Sequence, residues 1–161
     1  HLVLRRQRQM CIRDSLIGEK RYVEAKYSSY VGVLLCFIGA IFNMTVLLIF
    51  RENFASIYSK DIDVINVAIS LLLYASIFQI PDGIQMGSLG ALRGYKDTFA
   101  PMVFLIISYW LFAIPFGYFL TNYGFYNPMG AEGMWISMIL GLIVFSALIF
   151  TRLRFVSSRY I

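Results

Sequence analysis

One acidic side chain, Asp82, lies far inside an apolar stretch of this chain, in the run FQIPDGIQMGSLGALRG. From Asp82 to Arg93 is 11 residues, about 16 Å of helix. Half of a bilayer's hydrocarbon core is about 15 Å, so Asp82 is expected near the midplane of a membrane. A carboxylate there costs a few kcal/mol, and it should face a bundle interior or water and serve a function. A hydrogen-bonded or protonated aspartate with a purely structural role is the alternative. Gln79, Gln85 and Met86 stand at −3, +3 and +4 from Asp82 and share its helical face, a polar patch of only about two turns. Pro81 immediately precedes the acid, removes an N–H donor and leaves the Ile77 carbonyl without its helical partner. Freed carbonyls beside a carboxylate ligate cations in interrupted membrane helices.

A second group is Ser108, Tyr109 and Trp110, mid-way along another apolar stretch that also contains Pro115. Tyr109 and Trp110 are candidates to line a cavity for flat cationic molecules, because aromatic faces attract cations; core packing is the alternative for Trp110. Pro115 is expected to kink its helix, and Pro81 to break the helix that carries Asp82. Gly83, Gly87, Gly90 and Ala91 have the small-residue spacing that lets membrane helices approach closely, and are assigned to packing. Glu132 is assigned to capping a helix N-terminus, where a carboxylate is favoured. No nucleophile–histidine pair, phosphate-cradling glycine loop or metal-ligand spacing is present, so no enzyme chemistry is expected.

The elements that must hold these residues are helices in a membrane. Of 161 residues 59% are hydrophobic and 14% charged, against about 45–50% and about 25% in soluble domains. Four apolar runs are each long enough to cross a bilayer, near 30–50, 64–92, 99–121 and 134–151. The fold class expected is therefore all-α, a polytopic integral membrane bundle. RENFASIYSKDID reads as a polar linker after the first span, RGYKDT as a short charged turn and NYGFYNPMGAEG as a loop. Pro101 falls in the first turn of the third span, where a missing N–H costs little. Lys20, Arg21, Lys26, Arg93, Lys96, Arg152, Arg154 and Arg159 gather on one side, and only Arg51 and Lys60 on the other. The positive-inside rule then places both ends in the cytoplasm. Tyr123, Phe125 and Tyr126 are expected at the outer interface and Tyr22, Tyr27 and Tyr95 at the inner one.

The net charge of +5 comes from 14 basic and 9 acidic residues. Four arginines and one aspartate of these fall within residues 1–15, leaving only +2 for the rest, and nucleic acid is not an expected partner. The opening HLVLRRQRQMCIRDS lacks an initiator Met and a signal-peptide core, and its RQMCIRDS run resembles translated adapter sequence. Residues 1–15 are therefore expected to be non-native, and the natural chain to begin upstream of Leu16. Cys11 and Cys36 make no disulfide framework, and the lone His1 makes no His-rich metal site.

DGIQMGSLGALRGYKDTFAPM, SYWLFAIPFGYFL and GAEGMWISMILG together resemble the C-terminal third of a bacterial multidrug and toxic compound extrusion (MATE) transporter of the NorM-like branch. The GEKRYVEAK segment resembles the cytoplasmic approach to that family's ninth helix. The resemblance covers about residues 16–155 and implies four of twelve helices, nine to twelve, in the second of two six-helix lobes. It implies that Asp82 matches the tenth-helix acid of Na+ or H+ coupling. It also implies that Phe78, a candidate for the cavity lining, stands where some members carry a tyrosine, so that a hydroxyl is missing from the cation site. The function implied is export of cationic amphipathic drugs in exchange for Na+ or H+ across the bacterial inner membrane, with no further cofactor. The implied partners are the cationic substrates, the surrounding lipid and the remaining helices. A lipid-linked precursor flippase would be expected to carry basic residues within these spans, where none occurs. A channel or passive scaffold would need no midplane acid beside a proline.

Overall fold

The structure is a computed structural model and describes residues 21–58, 60–124 and 129–159; residues 1–15, Phe125 and Tyr126 lie outside them. Four helices follow in chain order: α1 (Tyr22–Tyr58), α2 (Ile62–Gly94), α3 (Phe99–Asn122) and α4 (Gly130–Arg159). All four are long and apolar enough to cross a membrane, and there is no strand among the described residues. The chain is an integral membrane helix bundle.

The helices outrun the apolar runs that specify them. α1 continues through 51–58, where the polar linker was expected, because RENFASIY contains neither glycine nor proline and nothing in it stops helix propagation. Asp61 then starts α2: its backbone is extended and its side chain accepts a hydrogen bond from the Asp63 N–H. At 33 residues, α2 is about 50 Å long and must tilt or project beyond the hydrocarbon. It ends in a reversal at Lys96, whose backbone is left-handed (φ 59). There the Asp97 N–H donates to the Leu92 carbonyl and the Lys96 N–H to that of Arg93, as in other left-handed helix ends.

One proline expectation is corrected. α2 runs unbroken through Pro81; the ring removes one hydrogen bond without ending the helix, as neighbouring membrane helices allow. Ahead of Pro115, Ile106–Ala113 is π-helical, and α-geometry resumes at Ile114. A wider turn accommodates a ring that cannot donate and would crowd the carbonyl one turn back. The Ser137 hydroxyl of α4 donates to the Ala113 carbonyl at the end of this stretch and ties α4 to α3 there.

α2 is central. Its Gly83 and Gly87 meet α1 so closely that a Cβ on Gly83 would lie 2.5 Å from the Ala40 Cβ, and one on Gly87 2.6 Å from the Val33 Cα. Gly90, grouped with them on spacing, touches nothing there. On its other side α2 packs on α4. Leu92, Leu142, Phe145, Ile149 and Leu153 form a fully buried cluster toward the end that carries Arg93 and Arg152. Tyr95, two residues beyond Arg93, is buried in this cluster. Tyr27 and Tyr123 are exposed.

Candidate functional site

The apolar cluster occupies one half of the α2–α4 seam. The buried residues of α2 above it are Ser76, Pro81 and Ser88, together with Gly83 and Gly87 on the side that meets α1. Asp82 is half-buried in mid-helix, and Tyr109 of α3 packs against the buried α2–α4 cluster. Tyr109 is held by an edge-on contact with Phe145 of α4, ring centroids 6.1 Å apart. One turn along α2 from Asp82, the Oε1 of Gln85 is buried and has no hydrogen-bond partner among the described residues. The hydroxyls of Ser88 and Ser108 are likewise buried and unpartnered there. Unsatisfied oxygens in an apolar interior are costly, and oxygens are what a hard cation or a water takes as ligands.

Phe78, one turn toward the other end, stands edge-on to Trp135 of α4 at 6.4 Å and forms an apolar wall beside Asp82. Gln79 is half-buried, and Met86 is exposed on the surface of the bundle. Asp82, Gln85, Phe78 and Tyr109 thus border the α2–α3–α4 junction. Trp110 does not join them: it is 65% exposed and points away from Tyr109, its neighbour in sequence. Pro81 is buried within the bundle and Pro115 faces outward.

Two polar contacts between elements were not legible as such. The Tyr74 hydroxyl of α2 donates to the Glu132 Oε2 of α4 at 3.3 Å, so Glu132 bridges helices besides occupying a first helical turn. The available signal was register: Tyr74, Phe78 and Asp82 recur every fourth residue on one face of α2. At the opposite end the Arg152 Nε donates to the Asp97 Oδ2 at 2.7 Å, with side chains 35% and 15% exposed. This pair ties the α2–α3 turn to the end of α4. The loop topology puts both residues on one side of the membrane, which is the clue the sequence offered. Among the described residues no three His, Cys, Asp or Glu side chains converge. One carboxylate with neutral oxygens suits a proton or a weakly held monovalent cation.

Comparison with known proteins gives consistent results. The MatE family model matches residues 15–119. The "Probable multidrug resistance protein NorM" of Bacillus licheniformis is 38% identical over 144 residues, covering 89% of this chain and 31% of that protein. The "Multidrug resistance protein NorM" of Vibrio vulnificus (strain YJ016) is 40% identical over 141 residues, 86% of this chain and 31% of that protein. The chain thus spans less than a third of the length of these relatives. The crystal structure of the eukaryotic MATE transporter AtDTX14 superposes with a TM-score of 0.75 at 19% identity, over 97% of this chain and 39% of that one; this similarity is one of fold.

Proposed function

The chain belongs to the MatE family, and from that premise we propose that it forms part of an antiporter that expels cationic, amphipathic compounds in exchange for Na+ or H+. The observation that carries this reading is Asp82, half-buried in mid-span beside the buried, unpartnered Gln85 Oε1. A carboxylate so placed can hold a proton, a sodium ion or a positively charged substrate, but only one of them fully. Exchange follows when each occupant favours a different arrangement of the two lobes, since a ligand shifts a conformational equilibrium by its differential affinity. Tyr109 and Phe78 offer flat apolar surfaces beside the charge for the aromatic part of such a substrate, and the Ile77 carbonyl released by Pro81 is a further oxygen for the cation.

The names of the 37–40% identical relatives support drug export. The asymmetry of the loop charges supports a bacterial plasma-membrane orientation with both ends of this segment cytoplasmic. The testing experiment restores the full-length transporter around this segment and places it in liposomes. Ethidium efflux should follow an imposed Na+ or H+ gradient and stop when the gradient is collapsed by an ionophore. Efflux indifferent to both gradients would reject ion-coupled exchange.

A further inference from the structure

A cavity of about 290 Å³ opens where α2 ends and α3 begins, on the side of the bundle that carries the basic cluster. Its two ends differ in chemistry. At one end stand Arg93 and Thr98; the rest of the wall is apolar, with Leu89 one turn back along α2, Met102 and Leu105 one and two turns into α3, and Phe145 of α4. Arg93 stands about 16 Å along the helix from the midplane Asp82, at the depth of lipid headgroups. The polar end of the cavity therefore lies at the interface and the apolar end points into hydrocarbon. Met102 is 53% and Leu105 42% exposed on this segment.

The charge at the polar end is not neutralised from within. Among the described residues no side-chain hydrogen bond, ion pair or ring contact involves the Arg93 guanidinium, and Asp97, the nearest acid in sequence, is committed to Arg152. Lys96 adds a second exposed cation three residues on. A cationic drug would be repelled here, and a free anion would gain nothing from the apolar wall. We infer that this cavity binds an anionic phospholipid of the cytoplasmic leaflet, its phosphate at Arg93 and Thr98 and the upper part of one acyl chain along Leu89, Met102 and Leu105. Basic pockets between membrane helices on the cytoplasmic side suit such headgroups, and the cavity's volume, at the low end for ligand sites, fits a headgroup and part of a chain. The inference does not depend on ion coupling at Asp82.

The test uses the 161-residue chain in nanodiscs. Phe99, exposed beside Thr98, is replaced by the reporter in Phe99→Trp, with Trp110→Phe and Trp135→Phe removing the native signals. Quenching by brominated phosphatidylglycerol is compared with that by brominated phosphatidylcholine at equal mole fraction. The expected preference for the anionic lipid is about fivefold, the effect of one basic contact at a membrane surface. It should fall to near one in Arg93→Gln, persist in Arg93→Lys, and persist in Arg154→Gln, which removes a basic residue outside the cavity. Equal quenching by the two lipids in the reporter chain would overturn the proposal. So would an equal loss in Arg93→Gln and Arg154→Gln, which would mark general surface attraction, and so would relief of quenching by inorganic phosphate as complete as that by unlabelled phosphatidylglycerol. Loss of preference in Arg93→Lys with helical content intact would also overturn it.

Discussion

Gly87→Ala should separate α1 from α2, and Gly90→Ala, three residues on, should not. A Cβ at 87 would stand 2.6 Å from the Val33 Cα and 3.3 Å from the Val33 and Cys36 Cβ atoms. Carbon atoms at rest are about 3.5–4.0 Å apart, so α1 must retreat by about 1 Å. The obstacle at Val33 is backbone, and no rotamer change relieves it. Overpacking of this kind costs about 1–3 kcal/mol, less the gain of up to about 1 kcal/mol in helix propensity on replacing glycine. The net expected for Gly87→Ala is a loss of about 0–2 kcal/mol, which leaves it about 1–3 kcal/mol less stable than Gly90→Ala. At Gly90 nothing lies within 4 Å of the added methyl, so only the propensity gain remains, and that variant should be unchanged or slightly more stable. Reversible unfolding of the chain in mixed micelles, titrated with dodecyl sulfate and followed by circular dichroism, measures both. Equal stabilities for the two variants would refute the close approach of α1 and α2 at Gly87 and the energetic reasoning built on it.

Other outcomes are equally specific. Tyr74→Phe should cost about 0.6 kcal/mol, the average for a hydrogen bond between membrane helices, and should cost nothing further in a Glu132→Gln background if the two side chains act as one contact; the same titration reads both. Arg152→Gln should destabilise by about 1.5–3 kcal/mol, as removal of a charged hydrogen-bond partner does, because it leaves Asp97 only 15% exposed without its cation; a double cycle with Asp97→Asn isolates the pair. The 161-residue chain expressed alone should confer no ethidium efflux on a drug-sensitive bacterium, since it supplies a third or less of the length of its relatives; efflux above the empty-vector rate would count against the reading that this segment exports drugs only as part of a longer transporter.

The helices were legible because hydrophobic length is a strong signal in a membrane chain, and Asp82 because a carboxylate inside 29 mostly apolar positions stands out against its surroundings. What escaped depended on backbone detail that helical periodicity does not encode. Trp110 was placed with Tyr109, but the π-helical stretch ahead of Pro115 alters the phase of the residues within it, and the indole faces outward. That Tyr95 packs into the buried cluster depends on how α2 meets α4, which its sequence position does not give. Glu132 was legible as a helix-terminal acid, whereas its bond to Tyr74 joins residues 58 apart and depends on how α2 and α4 cross. Gly83, Gly87 and Gly90 share a spacing, yet only the first two face α1, since spacing gives a stripe and not the neighbour it meets.

The proposal that Asp82 couples ion entry to drug export is tested most directly by Asp82→Asn in the restored full-length transporter. The amide is nearly isosteric and removes the cost of placing a charge at the midplane, so insertion and helical content should be retained. The negative charge and the proton-accepting group are lost together, and no other carboxylate of these spans lies at that depth. Gradient-driven ethidium efflux, measured in liposomes at matched protein content, should fall to the rate of protein-free vesicles for both Na+ and H+ gradients. Wild-type efflux by Asp82→Asn under either gradient would contradict the assignment and leave Asp82 a structural residue.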